Sequence, residues 1–164
     1  MTADTSTVQV IIVGQKDPLL APLFAELSVE YSNRYGHPLA EIHRELVEYP
    51  EIEFAAPHGA FILLLADGEP IAGGAFRKYD ERTAELKRIW THSSHRRQGL
   101  AQRVLHELES EAQSRGYQRI YLTTGPRQPE AKELYLAAGY LPQFDLSVDP
   151  ESVWNLPFRK ELNA

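Results

Sequence analysis

The segment A60-F-I-L-L-L-A-D-G-E-P-I-A-G-G-A-F-R-K-Y79 constrains the fold more than any other part of the chain. Two apolar runs flank Asp67-Gly68, a dipeptide suited to a two-residue turn with left-handed backbone, so the segment predicts a β-hairpin. The run T83-A-E-L-K-R-I-W-T91 follows a turn at Asp80-Glu81 and predicts the next antiparallel strand. Its alternation breaks because Leu86 and Ile89 are both apolar at an odd spacing, and a β-bulge between them restores the pattern. From Gln98 the apolar period changes to 3.6. Leu100, Ala101, Val104, Leu105, Leu108 and Ala112 fall on one helical face, and Gly116 stands at the C′ position.

The flanking segments supply the remaining elements. Residues 8–13 predict a strand ending at Gly14, and Asp17-Pro18 opens a helix carrying Leu20, Leu23, Phe24, Leu27, Tyr31 and Tyr35 to Gly36. A second helix is expected from Leu39 to Glu48, stopped by Pro50, with a loop over 50–59. Residues 118–124 predict a strand, and Pro129 opens a helix with Ala131, Leu134, Tyr135 and Ala138 facing inward as far as Gly139. Weaker strands are expected at 140–146 and 154–160. The order is β-α-α-β-β-β-α-β-α-β-β, an α/β chain read as one domain over 1–164.

Composition narrows the function by exclusion. The absence of Cys removes disulfides, thiolate nucleophiles and Cys-based metal sites. His92 and His95 fall in a loop, the other His are scattered, and no H-E-x-x-H or G-x-S-x-G occurs, so neither a metal site nor a serine triad is expected. No apolar run reaches the ~18 residues that a membrane span needs, and the first residues lack a basic stretch followed by an apolar one. The expectation is a cytoplasmic protein without a secretory leader or a membrane partner. A net charge of −6 weighs against nucleic acid as a partner. Charge is nevertheless uneven: Arg77–Arg127 holds eleven basic and six acidic residues, a net of +5, leaving −11 elsewhere. A basic middle in an acidic chain suits one anionic ligand held centrally.

The junction W90-T-H-S-S-H-R-R-Q-G-L-A101 offers a place for that anion. A helix start leaves about four amides unpaired and carries roughly half a positive charge. Gly99 lets the backbone approach a ligand closely, Ala101 is nearly as small, and Arg96 and Arg97 can pair with phosphate. Together they describe a diphosphate site, although neither G-x-x-x-x-G-K-[ST] nor G-x-G-x-x-G is present. Arg77 and Arg88, on neighbouring strands, are surface decoration or a bidentate clamp for an acceptor carboxylate.

Arg96-x-x-Gly99-x-Ala101 after A84-E-L-K-R-I-W-T91 resembles the [Q/R]-x-x-G-x-[G/A] motif of the GNAT family of N-acetyltransferases. A131-K-E-L-Y135-L-A-A-G-Y140 is similar to that family's A-x-x-x-Y-x-x-x-G-[FY], and the resemblance covers about residues 60–142. It implies a mixed, mostly antiparallel central sheet flanked by helices, with strands 4 and 5 splayed. It implies acetyl-CoA as co-substrate, its diphosphate on the amides of Arg97, Gln98, Gly99, Leu100, Ala101 and Gln102. Its pantetheine arm would lie along Ile89, Trp90 and Thr91, where backbone N–H groups polarise the thioester oxygen. Gln128, standing where the family often has Asn, and Ala131 complete the implied cofactor contacts. Glu85 occupies the position of the glutamate base of histone-type members, and Tyr135 that of the acid protonating the departing thiolate. The sequence departs from the family at Ser93, often Pro, at Arg97, often Gly, and at Ala101. The implied activity is direct acetyl transfer to the amine of a small-molecule acceptor, by a monomer or homodimer. The alternatives are an inactive acyl-CoA sensor on the same fold and a phosphate-binding module unrelated to CoA.

Overall fold

A computed structural model describes residues 7–152 and 155–162. The elements are β1 (Gln9–Val13), α1 (Ala21–Tyr35), α2 (Leu39–Glu48), β2 (Ala60–Ala66), β3 (Glu69–Lys78), β4 (Thr83–Thr91), α3 (Leu100–Ser114), β5 (Arg119–Thr124), α4 (Pro129–Ala137), β6 (Leu141–Pro142) and β7 (Leu156–Glu161). They follow the predicted order. One sheet runs β1-β2-β3-β4-β5-β7-β6, antiparallel throughout except for the parallel pair β4–β5.

Local chemistry accounts for the boundaries. Asp67 (φ 51°) and Gly68 (φ 79°) form the β2–β3 turn, both left-handed as a primed hairpin turn requires. The Asp17 carboxylate accepts the Leu19 amide at 2.9 Å, and the chain passes through a 3-10 turn, Pro18–Leu20, before α1 begins. The loop expected over 50–59 contains a further 3-10 turn, Glu51–Phe54. Of the strand expected at 140–146 only Leu141–Pro142 forms, at the sheet edge, where Pro142 has no N–H to extend the ladder. Of the strand expected at 154–160, Trp154 lies outside the described residues.

β2 reads as an unbroken apolar run because helices cover both of its faces. Phe61, Leu63 and Leu65 pack with Leu20, Leu23, Phe24 and Leu27 beneath α1 and α2. Ile62 and Leu64 pack with Leu100, Val104, Leu105 and Leu108 beneath α3. The expected bulge is present: Gly73 faces Trp90 and Ala75 faces Lys87, so Arg88 and Ile89 together oppose Gly74. Arg88 takes φ 63°, and a Cβ at Gly74 would lie 2.8 Å from Ile89 Cδ1 and 2.9 Å from Leu108 Cδ1. The bare glycine is what allows α3 to close on the bulge.

Candidate active site

The bulge separates β4 from β5. The two strands pair only where Thr83, Ala84 and Glu85 meet Arg119, Ile120 and Tyr121. Beyond Glu85 the β5-facing edge of β4 has no strand beside it among the described residues, and a cleft of about 1100 Å³ opens there. Its walls are β4, the start of α3, the β5–α4 loop with α4, and the inner faces of α1 and α2.

The start of α3 supplies a cradle of donors. Gly99 is the N-cap in left-handed conformation (φ 76°), and among the described residues no side chain caps the helix. Among the described residues, the amides of Gln98 to Gln102 donate to no protein acceptor, and the first bond of this turn is Arg103 N–H to the Gly99 carbonyl. Arg97 is also left-handed (φ 64°), which accounts for glycine being common at this position in the family it resembles. A non-glycine residue costs about 1 kcal/mol there. Alternation of this kind turns successive amides to one side, the geometry of an anion-binding nest.

The loop before the cradle is fastened by a residue that the sequence reading missed. Glu26 of α1 accepts Trp90 Nε1–H at 2.9 Å and the Ser93 amide at 2.9 Å, while its other oxygen takes the Ser93 hydroxyl at 2.6 Å. Proline at position 93 would lack the amide, so Ser93 belongs with Glu26. Burial alone would raise the Glu26 carboxyl, but the bonds from Ser93 and Trp90 outweigh it and hold the group below its ordinary value of 4.5. This lock is complete above that value and is lost as pH falls through the depressed one. Glu26→Ala is expected to cost about 1–3 kcal/mol in thermal unfolding, because it leaves the indole N–H unpaired. Glu26→Gln should retain much of the stability and lose its acid dependence.

A second set of bonds joins α1 to the β5–α4 loop. Arg34 Nη1 donates to the Arg127 carbonyl at 2.6 Å, and Arg34 also pairs with Glu130. The Tyr35 hydroxyl accepts the Arg127 amide and donates to Gln128 Oε1, each at 3.3 Å. Gln128 Oε1 also takes the Gly125 amide at 3.2 Å, so this oxygen is occupied by the protein. A Cβ at Gly125 would fall 1.7 Å from the Tyr35 hydroxyl, which shows how closely the loop lies on α1.

Tyr135 is buried against Tyr140 and Phe158 and lines the cleft, and its hydroxyl has no hydrogen-bond partner among the described residues. Burial raises its pKa well above the ordinary phenol value, with Tyr31 and Glu30 adding to the shift, so it stays protonated. Glu85 is buried and does not line the cleft. Its Oε1 receives both Nε and Nη2 of Arg77 at 2.9 Å, and Lys87 Nζ stands 3.9 Å from Oε2. The carboxylates on the cleft wall are instead Glu30, Glu45 and Glu130.

Of the residues expected to hold the cofactor, the cleft wall brings together Ile89, Trp90, Thr91, Arg96, Arg97, Gly99, Leu100, Ala101, Gln102, Gln128 and Ala131. Gln98 is not among them: its side chain turns inward, with Oε1 buried and unpartnered. His92 accepts the Ser94 amide at 3.1 Å, and the described residues hold no cluster of three or more potential metal ligands. None of the described helices is long and apolar enough to cross a membrane.

Comparison with known proteins agrees with this architecture. Residues 20–140 match the model of the Acetyltransferase (GNAT) family. An uncharacterized N-acetyltransferase of Bacillus subtilis, YsnE, is 38% identical over 94 residues, covering 54% of this chain and 62% of that protein. The PaiA N-acetyltransferase of Thermoplasma acidophilum, solved in complex with coenzyme A, superposes with a TM-score of 0.76 at 14% identity, over 94% of this chain and 98% of that one. An acetyltransferase of Thermus thermophilus superposes at 0.72 with 20% identity, over 99% and 100% of the two chains. At these identities the two structures establish the shared fold. The chain belongs to the GNAT acetyltransferase family. It spans about three fifths of the length of the curated relatives it matches.

Proposed function

We propose that this protein transfers the acetyl group of acetyl-CoA to the amine of a small-molecule acceptor. The observation that carries the reading is the row of unpaired amides at the start of α3, beside an unpaired strand edge in one continuous cleft. The donor set fits the co-substrate. The amides around Gly99, with Arg96 and Arg97, would hold a diphosphate, and the free edge of β4 would bond a pantetheine arm as a strand bonds its neighbour. Bound there, the co-substrate supplies a thioester whose acetyl group is activated toward amines. The backbone near Trp90 would polarise the thioester oxygen. The amine nitrogen bonds the carbonyl carbon, the carbon–sulfur bond breaks, and Tyr135 gives its proton to the sulfur that leaves. The reading is of a single cytoplasmic domain acting as monomer or homodimer, with no nucleic acid, membrane or metal involved.

An alkylammonium has a pKa near ~10, so a base is needed at neutral pH. Glu85 is the base in this reading; it stands behind the cleft wall, with Nζ of the cleft-lining Lys87 3.9 Å from its Oε2. Glu30 is the rival, because it lines the cleft and lies near enough to Tyr135 to shift it. Thiol release measured over a panel of amines tests the function, and Glu85→Gln and Glu30→Gln measured across pH assign the base. The true base variant is expected to lose roughly 100-fold in kcat near neutrality and recover as pH rises. Coenzyme A binding with no turnover of any amine would favour a sensor; full competition by free phosphate would favour a general anion site.

A further inference from the structure

Among the described residues, the cleft holds unpaired cations at two separated places. Arg96 and Arg97 stand at the cradle, where a diphosphate accounts for them. Arg88 stands at the bulge, on the side formed by α2 and the segment after it. Its neighbours on the sheet are satisfied: Arg77 bonds Glu85 and the Tyr49 hydroxyl, and Lys87 faces Glu85. Arg88 has neither a carboxylate nor a hydrogen-bond partner among the described residues, and its Nε is buried and unsatisfied. Its guanidinium lies 5.0 Å from the centre of the Tyr49 ring and 5.8 Å from that of Phe54. The aromatic faces offset part of the cost of burying the charge, but they accept no N–H bond in the guanidinium plane.

Arg88 also carries the left-handed backbone of the bulge (φ 63°), a conformation unfavourable for any residue with a Cβ. Burial depresses its pKa, yet arginine cannot shed its proton at accessible pH, so the charge persists unpaired in the cleft. Strain, desolvation and a missing partner therefore meet at one side chain, immediately before the strand edge that would hold the thioester arm. Tyr31, Ile42, Leu46 and Tyr49 line the cleft as well and give this end an apolar wall.

We infer that Arg88 is the receptor for a carboxylate on the acceptor, which makes the acceptor an amino-acid-like molecule with a free carboxylate and an apolar body. The inference rests on the transferase reading above. A guanidinium presents a planar pair of donors that a carboxylate matches bidentately, and such a bond would satisfy the orphaned Nε–H. A polyamine would bring further positive charge toward Arg88 and Lys87. A protein N-terminus would bring no neighbouring carboxylate.

The test is thiol release with leucine, phenylalanine and methionine, set against their amides and the amines that lack the carboxyl group. The free acids are expected to exceed both sets of analogues by at least about 100-fold in kcat/KM, because the analogues leave a buried charge unpaired. In Arg88→Asn that preference should fall below tenfold, chiefly through a raised KM, with coenzyme A still raising the melting temperature. Asn tolerates the left-handed backbone, so the bulge survives, and Arg88→Gly serves as a second variant without strain. Equal turnover of amides or carboxyl-free amines, or an unchanged preference in both variants, would overturn the inference and leave the transferase reading standing. No turnover of any acceptor would overturn both.

Discussion

Gly99→Glu is expected to abolish coenzyme A binding in a calorimetric titration while the protein remains folded by circular dichroism. Two effects act together. Gly99 sits at φ 76°, where a residue with a Cβ costs about 1 kcal/mol. Apart from its chain neighbours, no described residue comes within 4 Å of a Cβ built there, so the new side chain would extend into the open space beside the unpaired amides. Its carboxylate would then stand near the diphosphate, and two like charges 4 Å apart repel by about 4 kcal/mol at an effective dielectric near 20. Affinity should fall by roughly a thousandfold. Gly99→Asn separates the terms: it tolerates the backbone and adds no charge, so it should stay within about tenfold of the parent. Equal weakening by Asn and Glu would mean that shape rather than charge governs the cradle.

Tyr135→Phe should lower kcat by roughly 10²–10⁴-fold and leave coenzyme A affinity within about twofold. Among the described residues the hydroxyl makes no hydrogen bond, so its removal orphans none of them, and the ring contacts with Tyr140 and Phe158 remain. kcat and kcat/KM should fall together, the pattern of an interaction made only as the thiolate departs. The pH profile provides a second check. Burial raises the Tyr135 pKa, so the proton is present throughout the neutral and mildly alkaline range. Any loss of rate through its ionisation should begin only above the ordinary phenol value of ~10. Wild-type kcat in Tyr135→Phe would remove the residue from the chemistry.

Features carried by neighbours in sequence were legible before the structure. Asp67-Gly68 located the central hairpin, the odd spacing of Leu86 and Ile89 located the bulge, and the change of period at Gln98 located α3. Each is a local rule of turn geometry or periodicity. What escaped depends on pairs far apart in the chain. Glu26 reaches Trp90 across 64 residues and Ser93 across 67, and Arg34 reaches Arg127 across 93. On a helix those residues read only as part of an acidic or mixed face. Periodicity placed Glu85 on a strand beside the cleft, but it could not show that Arg77, directly across from it on β3, would claim its carboxylate. Arg77 and Arg88 looked equivalent in sequence. The bulge separates them, leaving one paired on the sheet and the other unpaired in the cleft.

The most direct measurement is a two-dimensional amide spectrum of labelled protein titrated with coenzyme A and, separately, with pantetheine. If the start of α3 binds the diphosphate, the amide signals of Gly99, Leu100, Ala101 and Gln102 will move strongly with coenzyme A and scarcely with pantetheine, whereas those of Ile89 to Thr91 will respond to both. Signals from 99–102 that stay in place at saturating coenzyme A, or that move equally with pantetheine, would contradict the cradle and the transferase built on it.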